Sequence, residues 1–200
     1  MIDNFEQIKS LLEFTSDDDY YFVEIIQRKK DFPFDTDMPS QWCIKSYAVT
    51  STEKFDKLKQ QIEMLCDYYH ARAYINLNKK SKKKTTVILM KECLSMIENE
   101  NCNSLFSKLD SAAGQCSGEK STRTFLLDVD TKDKGIVNYL EDVIKACNGE
   151  VKAILPTVNG YHVISSPFNV QDFNKLLDLN EKTKSILEIK HNSPTLLYFN

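Results

Sequence analysis

The sequence predicts an α/β (α+β) fold, with a β-α-β-β-α-β unit in its second half preceded by a smaller α/β module. Three observations carry this. Short runs such as Phe125-Leu126-Leu127-Asp128-Val129-Asp130 and Gly160-Tyr161-His162-Val163-Ile164 have the apolar alternation of strands. Other stretches carry apolar residues at helical spacing, as in Ile136, Tyr139, Leu140, Val143 and Ile144. The order in which the two patterns follow each other after residue 123 is that of the split βαβ arrangement.

The first module, 1–110, opens with an amphipathic helix over 3–14, where Phe5, Ile8, Leu11 and Leu12 share a face. Strands follow over 20–27 and 42–49, separated by a polar loop from Asp31 to Ser40 that carries Pro33 and Pro39. Thr50 or Ser51 can cap a helix over 52–69, whose stripe is Phe55, Leu58, Ile62 and Leu65. A strand over 71–77 leads to a basic loop, 78–84, and a helix over 85–98. Residues 110–122, rich in Ser, Gly and Thr, read as a loop between modules. The second module, 123–200, reads as strand 123–129, helix 135–146, strands 151–155 and 161–165, helix 170–179, strand 186–189 and a last strand over 195–199.

Composition excludes some function classes. The chain has 200 residues, 42% of them hydrophobic, and a net charge of −3, so no global basic field announces nucleic acid and any such contact must be local. No apolar run has the length of a membrane span, and the first residues lack a signal-peptide pattern, so a cytoplasmic protein without membrane contact is expected. None of the six cysteines makes a C-x-x-C pair, which points to free thiols.

The chemistry-bearing feature is Asp128-Val129-Asp130. On a strand, residues two apart share a face, so the two carboxylates project together while Leu127 and Val129 enter the core. Adjacent ionised carboxylates repel, and a fold that keeps them usually supplies a cation. In the usual order for this topology the first and third strands are central and the fourth flanks the first. That makes Asp128, Asp130 and His162 neighbours, with Ile186, Glu188 and Lys190 facing the same side. Arg72, Tyr74 and Asn76 alternate on one strand face and lead toward the lysines at 79–84.

These residues resemble the archaeo-eukaryotic primase, or primase-polymerase, superfamily. The family's first motif, D-x-D or D-x-E on an apolar strand, is matched by Asp128 and Asp130. Its second, S-x-H, often in a G-Y-H context, is matched at His162, with Gly160 where the serine would stand. Its third is an apolar residue followed by an aspartate; Glu188 is the nearest acid, and Asn192 an alternative position. The resemblance spans residues 20–199, and a phage or mobile-element origin fits it. It implies an RNA-recognition-motif-like catalytic module that makes or extends a DNA or RNA strand. Asp128, Asp130 and His162 would be catalytic, and Mg²⁺ or Mn²⁺ would be held by Asp128, Asp130 and Glu188. His162 and Tyr161 would contact the nucleotide. Arg72, Lys79, Lys80, Lys82, Lys83 and Lys84 would hold the strand backbone, where neutralised phosphates release counterions. The implied partners are nucleoside triphosphates, single-stranded nucleic acid and a separate helicase, since the chain has no G-x-x-x-x-G-K-[ST] loop.

Two other readings stand beside it. The same unit could be a catalytically degenerate nucleic-acid-binding or scaffold module. The run Leu127 to Thr131 also resembles the opening motif of haloacid-dehalogenase-type phosphatases, but that motif continues with Gly-Thr, where Thr131-Lys132 follow here, and no later Asp-Asp pair exists. A glycosyltransferase D-x-D lacks a preceding nucleotide-sugar fold pattern.

Overall fold

The computed structural model describes residues 1–32, 37–99, 108–116, 123–177 and 185–200. Among these, the strand and helix patterns resolve into an α+β fold of two antiparallel sheets and six α-helices. In chain order the elements are β1 (Ile2–Asp3), α1 (Phe5–Lys9), β2 (Asp19–Arg28), β3 (Gln41–Val49), α2 (Thr52–Tyr69), β4 (Arg72–Ser81), α3 (Lys82–Glu98) and α4 (Lys108–Gln115). Then come β5 (Phe125–Val129), α5 (Lys134–Ala146), β6 (Val151–Pro156), β7 (Tyr161–Ser165), α6 (Val170–Leu177), β8 (Leu187–Lys190) and β9 (Thr195–Phe199). The first sheet has the order β1-β9-β4-β2-β3 and the second β6-β7-β5-β8.

Local chemistry explains the helices. Ser51 caps α2 by accepting a hydrogen bond from the Lys54 N–H, and the helix ends at His70 in the left-handed region (φ 47°). Its apolar stripe buries Phe55, Ile62 and Cys66. Asp133 caps α5 through the Gly135 N–H, and Val137, Leu140, Val143 and Ile144 are buried beneath it. Alternation sorts the faces of the second sheet. Leu127, Val129 and Val163 pack with α5 and α6 in one core. Leu126, Leu155 and Ile164 join Phe5, Val23, Ile75 and Leu197 in another that reaches across both sheets.

Four expectations are corrected. The helix expected over 3–14 is only the short α1: Ile2 and Asp3 pair with β9 before it, and the helix ends at Lys9 with Ser10 as its C-cap. The basic loop expected over 78–84 is the end of β4 and the first turn of α3. Pairing of Asp19 with Ser81 and Tyr20 with Lys80 extends the strand, and Ser81 then caps the helix through the Lys84 N–H. Within the segment read as a loop, residues up to 115 belong to α4, whose Ala113 packs on Tyr20 and Phe22; residues 117–122 lie outside the described ones. The last strand does not stay in the second module. Thr195, Leu196, Leu197 and Tyr198 are all buried, which requires cover on both faces, and the strand finds it in the first sheet between β1 and β4.

The sheets are also joined by buried amides. Asn78 donates to the carbonyls of Thr124 and His191 and accepts from the Thr124 N–H at 2.7 Å, while Asn76 donates to the Asn192 carbonyl at 3.2 Å. No helix among the described residues is long and apolar enough to cross a membrane. Cys43, Cys66, Cys93, Cys116 and Cys147 are free thiols, and burial pushes Cys66 up to about 12.

Candidate functional site: a charged cleft between the sheets

Register assembles one wall of the site. Asp128 on β5 lies opposite His162 on β7 and opposite Glu188 on β8, so the three side chains leave the sheet on one face. Asp130 follows the strand end, its N–H donating to the Ile186 carbonyl at 2.9 Å. The facing wall comes from the first sheet, where β2 presents Glu24, Ile26 and Arg28 and β4 presents Arg72 and Tyr74. Lys30 and the turn 157–159 close the ends of a cleft of about 440 Å³.

The carboxylate of Asp128 is fully engaged. His162 Nε2 lies 3.4 Å from Oδ1, and Lys190 Nζ donates to Oδ2 at 2.6 Å. Hydrogen bonding toward His162, opposed by burial and reinforced by Lys190, holds the carboxyl well below the usual range. Burial works against the Lys190 charge, but its bonds to Asp128 and Glu188 outweigh burial and raise its pKa. The other ring nitrogen of His162, Nδ1, is 2.8 Å from the Thr195 hydroxyl, so β9 of the first sheet fixes a side chain of the second.

The opposite wall carries three cations, Arg28, Lys30 and Arg72, together with the Glu24 carboxylate and the Asp31 carboxylate that pairs with Arg72. Arg72 makes a two-point contact with Asp31, with Nε 2.7 Å from Oδ2, and its guanidinium lies 4.5 Å from the centre of the Phe199 ring. Arg28 donates to the Tyr74 hydroxyl at 3.2 Å. Lys30 is held below the usual lysine range by burial and by the nearby charges of Arg28 and Arg72. Like charges brought this close repel one another, and the Asp31 and Asp130 carboxylates offset only part of that cost at Lys30.

Asp128, Asp130, His162 and Arg72 thus meet in one cleft. Other expected site residues do not join them. The Glu188 side chain is 71% exposed and turned to Lys190, 3.1 Å away. Tyr161, one residue from His162, projects to the opposite face and packs against the α5–α6 core. Lys79 and Lys80 are buried; Lys79 pairs with Asp19 at 3.0 Å, and Lys80 donates to the Cys116 carbonyl at 3.0 Å. Lys82, Lys83 and Lys84 are exposed in the first turn of α3, outside the cleft. Sequence reading missed Arg28 and Lys30 as site residues, although strand alternation from Tyr20 places Arg28 on the cleft face. Nothing in the sequence pointed to Thr195.

Gly160 has a steric reason. A Cβ there would stand 2.0 Å from the Val129 carbonyl oxygen and 2.7 Å from both the N and O of Thr131. The backbone that carries Asp128 and Asp130 therefore occupies the space a serine would need.

The donor set does not fit a divalent ion in this arrangement. Among the described residues no group of three or more His, Cys, Asp or Glu side chains converges as a metal requires. One oxygen of Asp128 is taken by an ammonium, Glu188 points outward, and only Asp130 remains exposed beside them. No family model matches the chain, and neither a curated protein nor a solved structure matches it.

Proposed function

We propose that this is a primase-polymerase-like module whose cleft binds the phosphates of a nucleotide or a single strand, with transfer chemistry reduced or lost. The observation that carries this reading is the cleft itself, where Arg28 and Arg72 of the first sheet, with Lys30 just beyond β2, meet Asp128 and His162 of the second, with Asp130 just beyond β5. The element order and the strand order β6-β7-β5-β8, with β5 and β7 central, agree with an RNA-recognition-motif-like βαββαβ unit. Lysines and arginines around a groove bind phosphates, and the binding weakens as salt competes. Both ring nitrogens of His162 are engaged, Nε2 toward Asp128 and Nδ1 toward Thr195, so a phosphate contact would require the ring to leave one of these partners. Lys82, Lys83 and Lys84 then serve, at most, a strand running beyond the cleft.

Fluorescence anisotropy with a labelled single strand, and calorimetry with a nucleoside triphosphate, test the reading. We expect Arg28→Ala with Lys30→Ala to weaken binding about tenfold or more and to flatten the salt dependence. Unchanged affinity and salt slope in that double variant would remove the cleft as the binding site.

A second reading, metal-dependent nucleotidyl transfer with Mg²⁺ or Mn²⁺, is favoured by one observation: Asp128 and Asp130 line the same cleft. It requires Lys190 to leave Asp128. Incorporation of labelled nucleotides on primed and unprimed single strands, lost in Asp128→Asn, would establish it over the binding reading. In that case a separate helicase would supply the strand.

A further inference from the structure

We propose that Lys190 is a built-in counter-cation for Asp128 of the cleft and for Glu188 beside it, so that the site takes a nucleotide's phosphates without a divalent ion. This rests on the phosphate-binding reading of the cleft and specifies its chemistry. Lys190 belongs to β8, directly opposite Leu126 and two residues beyond Glu188, so its side chain and that of Asp128 share a sheet face. Its nitrogen lies 2.6 Å from Asp128 Oδ2 and 3.1 Å from Glu188 Oε2, bridging an acid of the central strand and an acid of the edge strand. A cation bridging acids from those two strands is what a metal would otherwise be.

The ammonium differs from a metal in three consequential ways. It is covalently attached, so the site is charged at any metal concentration. It carries one positive charge instead of two, so it neutralises one carboxylate and leaves little field to polarise a reacting phosphate. Its three N–H donors can serve Asp128, Glu188 and a ligand oxygen at once. With Arg28 and Lys30 on the opposite wall, a triphosphate would meet donors from both sheets.

The test compares wild type with Lys190→Met, which keeps the length of the stem and removes the charge. Mn²⁺ binding is followed by electron paramagnetic resonance, and ATP binding by calorimetry in EDTA and in Mg²⁺. The wild type should bind no Mn²⁺ and should bind ATP equally in both buffers. Lys190→Met should lose about tenfold in ATP affinity in EDTA, the loss expected for one charged hydrogen bond. It should also gain a Mn²⁺ site that Asp128→Asn abolishes. Broadening of the His162 ring resonances by Mn²⁺ in the wild type provides a readout independent of any variant's folding, and none is expected. A Mn²⁺ site at Asp128 in the wild type, or no gain in Lys190→Met, would overturn the proposal. Absence of ATP and strand binding by the wild type in every buffer would overturn the phosphate-binding reading instead, while the Mn²⁺ measurements would still decide the role of Lys190.

Discussion

At the scale of single residues, the second sheet obeys the two-residue period closely enough that the company of Asp128 and His162 could be read from the chain. The identity of the cation could not. Lys190 was placed on the right face by counting, but only geometry shows it on Asp128 at 2.6 Å in place of an ion. Gly160 looked like a lost hydroxyl and is in fact a place where no side chain fits. Gly160→Ser should therefore destabilise the protein by about 2 kcal/mol or more rather than restore a motif, as read from urea unfolding. Acid sensitivity also belongs to single side chains. Burial alone would raise the Asp19 carboxyl, but hydrogen bonds from Lys79, Thr15 and Ser16 more than offset it and hold the group well below the usual range. A depressed carboxyl adds stability that is complete above the unfolded value, about 3.9, and is lost as pH falls below it. Asp19→Asn should lower stability at neutral pH and flatten the decline between about pH 4 and 2, measured by thermal melts across that interval.

At the scale of elements, capping and periodicity were informative and lysine content was misleading. Of the two residues the sequence offered as caps of α2, Thr50 and Ser51, the helix uses Ser51, and Ser51→Ala should cost about 1 kcal/mol in chemical denaturation. The run 79–84 looked like a solvated loop because charge was weighed above pairing. Asp18 and Asp19 change the outcome: Asp19 neutralises Lys79, and Asp18 accepts from the Lys83 N–H at 2.9 Å at the start of α3. Both acids lie some sixty residues earlier in the chain, so no local window could weigh them. The α4 helix was missed because Ser, Ala and Gly there support no apolar stripe longer than a turn or two.

At the scale of the whole molecule, sequence suggested two modules in succession, whereas β9 returns to the first sheet and the largest core draws on both. The pairing partners of a strand buried on both faces cannot be read from its own pattern, since both edges look alike. Leu197 is fully buried in that shared core, and Leu197→Ala should cost about 2–5 kcal/mol. Hydrogen exchange at Ile75 of the first sheet and Leu127 of the second should accelerate together in this variant; acceleration at Ile75 alone would mean that the sheets unfold independently. The return of β9 also fixes an order of assembly during translation. Ile2 and Asp3 pair with Phe199 and Tyr198, so β1 cannot take its place until β9 has been made. At about 5–20 residues per second the interval is roughly 10–40 s. The four strands of the second sheet are all synthesised by Lys190, five residues before β9 begins. Until β9 arrives the first sheet has an open slot next to β4, and the cleft acquires the Thr195 hydroxyl that orients His162 only when that slot is filled.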